Sequence, residues 1–124
     1  MDVYINDYIN FFTLRSEEIK KTVGRAIEYW APEPVPTILL FSQIGKNIAG
    51  QLFLLSETEK LFLFQHIESG ICSENEQLAT AVATGLIESL VTASDENEEL
   101  WKKIVGCLQP VSKKHALAWK NFGQ

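Results

Sequence analysis

Apolar residues recur along this chain at helical spacing. Ile19, Val23, Ala26, Ile27 and Trp30 follow i, i+4, i+7, i+8, i+11, which a period of 3.6 residues gathers on one stripe. Ser16 is the expected N-cap of that helix, Glu17 and Glu18 fill its first turn, and Pro32 stops it. Upstream, residues 2–12 predict a shorter helix with Tyr4, Tyr8 and Phe11 or Phe12 along one side, a strand over residues 3–5 being the alternative. The alternation of Pro32, Pro34 and Pro36 removes backbone donors and predicts an extended connector over residues 31–36. Residues 37–55 are helical in pattern, with a break or kink expected between Gly45 and Gly50.

Two S-x-x-E sequences follow, at Ser56–Glu59 and Ser73–Glu76, each the signature of a capping box in front of an apolar run. The first predicts a helix that buries Leu61, Phe64, Ile67 and Phe62 and ends near Gly70. The second predicts the central helix, with Leu78, Val82, Leu86 and Leu90 spaced by four and Ala79, Ala83, Ile87 and Val91 beside them. Gly85 in its middle costs about 1 kcal/mol against alanine, so a close neighbour is expected there. Ser94 or Asp95 opens a further helix bearing Leu100, Trp101, Ile104, Val105 and Leu108. Pro110 begins the last, with Val111, His115, Ala118, Trp119 and Phe122. With no sustained period-two alternation and no Asn-Gly or Asp-Gly hairpin dipeptide, the expectation is an all-α, compact single domain over residues 1–124, a bundle of about six or seven helices.

Charge changes this picture by its distribution. The formal total is −5, but residues 57–99 hold ten acids against Lys60 alone, whereas residues 100–124 hold five lysines and no acid. A net-acidic chain without a polybasic run is a poor nucleic-acid binder. Two cysteines and no leader pattern predict a cytoplasmic protein with free thiols. Gln43, Lys46, Asn47 and Gln51 interrupt the longest apolar stretch, so no membrane span is expected.

Little of the sequence carries chemistry. The run from Gly45 to Gly50 imitates the opening of a phosphate loop, but Gln51 and Leu52 stand where lysine and a hydroxyl residue are required. His66 and His115 lack a partner at metal-ligand spacing, and Cys72 and Cys107 lack an adjacent histidine. Neither a catalytic residue, a cofactor nor a metal is expected, and the chain is not read as an enzyme. A paired-carboxylate arrangement would require Glu68 and Glu88 to meet across packed helices. The polar feature that stands out is acidic: Asp95, Glu96, Glu98 and Glu99. Dipole complementation and the i,i+4 pairs Glu98–Lys102 and Glu99–Lys103 offer a purely structural account. If successive helices alternate in direction, however, Glu57, Glu59, Asp95, Glu96, Glu98 and Glu99 collect at one end of the bundle, where they would attract a basic protein surface.

Three segments carry a resemblance: LFLFQHIESG at 61–70, ENEQLATAVATGLIESL at 74–90 and LQPVSKKHALAW at 108–119. Together they resemble small all-helical bacterial immunity proteins of polymorphic toxin and contact-dependent growth inhibition systems, with Gln109 standing where that family's glycine is expected. The resemblance implies a cytoplasmic antitoxin, monomeric when free, that binds a cognate basic nuclease toxin and blocks its active site. It transfers no catalytic residue. The alternative is a non-enzymatic helical adaptor or self-associating regulatory scaffold.

Overall fold

The computed structural model describes residues 3–122, of which the great majority are helical and none lies in a strand. Seven helices account for the fold: α1 (Val3–Arg15), α2 (Glu17–Trp30), α3 (Thr37–Gln51), α4 (Glu57–Ile71), α5 (residues 76–93), α6 (Glu98–Cys107) and α7 (Pro110–Phe122). A single 3-10 turn, Leu52–Leu54, extends α3. Among the described residues no helix is long and apolar enough to cross a membrane.

Ser16 alone joins the first two helices. Its extended backbone turns the chain, its N–H donates to the Phe12 carbonyl, and its Oγ accepts from the Ile19 N–H. The buried side of α1 is Ile5, Tyr8, Ile9 and Phe12, while Tyr4 faces outward. On α2 the buried stripe narrows to Ile19, Val23 and Ala26, and Ile27 is exposed. The proline segment opens with a turn closed by the Glu33 N–H on the Trp30 carbonyl, and only residues 34–36 are extended.

Helix α3 runs unbroken through Gly45 and Gly50, contrary to the expected break. The reason is its neighbour. Its buried face (Leu40, Phe41, Ile44, Ile48, Ala49) lies against α5, and a Cβ at Gly45 would meet the Leu86 carbonyl oxygen at 2.5 Å. Gly85 answers from α5, where a Cβ would lie 2.8 Å from both the Ile38 carbonyl oxygen and Phe41 Cβ. The two glycines let the backbones approach where side chains would hold them apart.

Helix α5 is the central element, as its pattern predicts, but its geometry is mixed. It is α-helical over Glu76–Thr80, π-helical over Ala81–Ile87 and α-helical again over Glu88–Ala93. In the π stretch the ladder closes one residue later, as in the Glu88 N–H to Ala83 carbonyl bond, so residues four and five apart share a face. This is how Ala81, Val82, Gly85, Leu86 and Ile87 are all buried.

Two element starts and two faces differ from expectation. The capping box at Ser56 forms, with Ser56 and Glu59 each bonding the other's backbone N–H. The second box does not: Asn75 caps α5 through Leu78 N–H, and Ser73 instead accepts from the Asn75 N–H. Asn97, rather than Ser94 or Asp95, caps α6. The buried face of α4 is Lys60, Leu63, Phe64, Ile67 and Gly70, leaving Leu61 and Phe62 about half exposed. On α7 only Ser112 and Ala116 are buried, while Val111 and Phe122 are exposed.

Candidate functional site

The six acidic residues singled out by the sequence are all exposed, yet they divide into two groups. At the start of α4, Glu59 accepts from the Ser56 N–H at 3.0 Å, and this backbone bond holds its carboxyl below the ordinary glutamate range. Glu57 accepts from Lys60 Nζ at 2.6 Å; that hydrogen bond and the lysine's charge lower its carboxyl likewise. Lys60 is itself buried within the stripe of α4, and Lys103 lies close by. Glu57, Lys60, Leu61, Gly106 and Cys107 line a recess of about 300 Å³. Burial pushes the Cys107 thiol up, opposed by Lys60 and Lys103.

The start of α4 therefore sits beside the end of α6. Nine residues of helix separate Glu98 from Cys107, about 13 Å at 1.5 Å per residue, so Asp95, Glu96, Glu98 and Glu99 occupy the other end of α6 from that recess. The expected gathering of all six carboxylates does not occur, because the path from α4 to α6 does not alternate simply up and down.

The second group has its own geometry. Asp95 and Glu96 lie in the turn that follows α5, anchored by the buried Ser94, whose hydroxyl donates to the Val91 carbonyl at 2.9 Å. Asn97 Oδ1 accepts from the Leu100 N–H at 3.0 Å, and Glu98 and Glu99 form the first turn of α6. Neither Glu98–Lys102 nor Glu99–Lys103 forms an ion pair among the described residues, and none of the four carboxylates is in one. Dipole complementation accounts for Glu98 and Glu99; Asp95 and Glu96 precede the helix and remain as solvated charge on a fixed turn.

Sequence reasoning missed a second acidic arrangement, at α7. Glu68 and Glu88 do not pair with each other. The Glu68 carboxylate accepts from the Val111 N–H (3.0 Å), the Ser112 N–H (2.9 Å) and the Ser112 hydroxyl (2.6 Å), capping α7 from across the bundle. Burial raises its carboxyl, the Ser112 and Val111 donors lower it, and the net direction is down. One turn along, His115 Nε2 bonds Glu88 Oε2 at 2.9 Å. The signal was present in Leu108-Gln109-Pro110: a helix start with no Ser, Thr, Asp or Asn before it needs its cap from elsewhere.

His66 serves packing. Its ring lies between Tyr8 (centroids 3.9 Å) and Phe11 (3.8 Å), with Arg15 over the outer face of Phe11 and Phe41 stacked beyond Tyr8. His66 Nε2–H donates to the Tyr8 carbonyl and the Tyr8 hydroxyl donates to the His66 carbonyl, both at 2.9 Å. Burial brings the imidazole down to about 4. The Tyr8 ring occupies the space a Cβ at Gly70 would need, and its own burial raises the phenol.

Both cysteines are free, Cys72 exposed and Cys107 half-buried. Among the described residues no cluster of three His, Cys, Asp or Glu could hold a metal ion. No family model, curated protein or solved structure matches this chain.

Proposed function

We propose that this chain is a non-catalytic protein-binding domain whose 95–99 turn captures a basic partner, and that its biological form is a toxin-neutralising immunity protein. The observation that carries the binding role is the set of four exposed carboxylates, free of ion pairs among the described residues, held within five residues by the buried Ser94 and the Asn97 cap. A fixed cluster of one sign raises the encounter rate with an opposite surface and costs little ordering on binding. The Glu57–Glu59 end is a weaker candidate, since Lys60 and Lys103 compensate it. The immunity assignment rests on the resemblance in residues 61–119.

The test is binding of the purified chain to the C-terminal domain encoded by the adjacent upstream reading frame. Charge reversal at Asp95, Glu96, Glu98 and Glu99 is expected to slow association at least tenfold at low salt. Unchanged kinetics would move the interface elsewhere, and no binding would remove the immunity reading. A self-associating scaffold is the second reading, favoured by Phe53, Leu54, Leu61 and Phe62, large apolar residues exposed close together in sequence. A monomeric mass across micromolar concentrations would eliminate it.

A further inference from the structure

Helices α2 and α3 enclose an open cleft of about 800 Å³. Asn47 Nδ2 donates to Thr22 Oγ1 at 2.9 Å near one end, and Trp30 and Leu39 line the other, so the two helices run antiparallel beneath it. Arg25 projects into the cleft from α2 and Lys46 from α3. Both are exposed, and neither is in an ion pair among the described residues. Tyr29 is 83% exposed, its ring set edge-to-face against Trp30 at 6.0 Å, while Ala26 closes the floor.

We propose that this cleft is a docking site for an acidic amphipathic helix of another protein. Thr22 and Trp30 are eight residues apart, about 12 Å along α2, which is room for two turns of a third helix laid in the valley. The apolar side of that helix would rest on Trp30, Leu39 and the face of Tyr29. Its carboxylates on the two sides of the apolar stripe, at i and i+5, would reach the two cations on opposite rims. Charge complementarity selects this occupant: two uncompensated cations face one cleft in a chain of net charge −5, and residues 1–56 nearly balance, with six acids and five bases, so the local field does not repel an acidic ligand as residues 57–99 would. Two cations are few for a nucleic-acid backbone, whose binding grows with each phosphate neutralised. The proposal is independent of the 95–99 turn, which faces a partner of opposite charge.

The experiment uses the full chain and a fluorescein-labelled 16-residue helical peptide with a Leu/Phe stripe flanked by glutamates, read by fluorescence anisotropy. A second peptide carries lysine at every glutamate, and a 15-nucleotide oligothymidylate serves as competitor. The acidic peptide is expected to bind at least tenfold more tightly than the lysine peptide and to shift the Trp30 indole resonance. The double variant Arg25→Glu, Lys46→Glu, both at exposed positions, should lose at least tenfold in affinity with helical circular dichroism and thermal midpoint unchanged. Reversal of Asp95 and Glu96 should leave peptide binding as it is. Equal binding of the two peptides, or full affinity in the double variant, overturns the proposal. So does competition by oligothymidylate, which assigns the cleft to nucleic acid, or a wild-type dimer that the double variant dissolves, which assigns it to a second copy of the chain.

Discussion

The crossing of α3 with α5 and the seating of α7 are built from opposite materials. At the crossing, two glycines remove the side chains that would separate the backbones, and Phe41, Ile44, Leu86 and Leu90 fill the space with apolar volume. At α7 only Ser112 and Ala116 are buried, and the helix is held by the Glu68 carboxylate at its N-terminus and by Glu88 on His115. Burial is non-directional and scales with area, whereas each carboxylate specifies one geometry and depends on its protonation. The first region should therefore set how stable the fold is, and the second how the last helix is oriented and when it lets go.

The sharpest break of that contrast is Phe41→Ala. A fully buried aromatic ring is lost next to Gly85, and chemical denaturation should show a cost of about 3–5 kcal/mol. A cost under 1 kcal/mol would mean that the crossing is not the keystone. Next, Glu68→Ala leaves the Val111 and Ser112 donors unmet and should cost about 1–2 kcal/mol, with hydrogen exchange accelerated in α7 and unchanged in α3. Uniform acceleration would show that α7 does not loosen on its own.

Acidity separates the regions further. The folded state lowers the His66 imidazole to about 4, so the unfolded chain binds the extra proton first; stability is complete above about 6.5 and declines as pH falls from there towards 4. Glu68 is lowered in the folded state, so its contribution is complete above the ordinary glutamate range and is lost as pH falls through its lower native value. Acid titration followed by NMR should thus show two separable events, loosening of the α1–α4 contact at Tyr8 and His66 and release of α7, and Glu68→Gln should abolish the second alone. Loss of both events in that variant would contradict the separation. The smallest effect is expected from reversing Asp95 and Glu96: under about 0.5 kcal/mol in stability, since neither carboxylate has a structural partner among the described residues. A large loss would convert that turn from a docking surface into a structural one.

The same contrast explains what could be read from the chain. Every helix was legible, because apolar periodicity and the caps at Ser16 and Ser56 are local signals. The all-α bundle followed from them. Which side of α4 turns inward was not legible, because Lys60 lies buried in the stripe with its ammonium held by Glu57, and a lysine does not register as apolar. The start of α7 at Pro110 was legible, but its cap was not, because the capping carboxylate lies 44 residues away in sequence. The acidic patch was half legible: the residues are exposed as expected, but their grouping depends on the path from α4 to α6, which local pattern does not encode.

The π-helical stretch of α5 fixes the phase of everything after it. Each residue turns an α-helix by 100°, so closing an ordinary ladder over Ala81–Ile87 with every residue kept would rotate the 88–93 segment by about that angle relative to Leu78; the π turn takes up that extra residue. Glu88 would swing off His115, and Ser89 would leave its place beside Gly45. Single-residue slack within one helix thus acts as a gearing between distant contacts: the glycine crossing and the seat of α7 are correctly aimed only together.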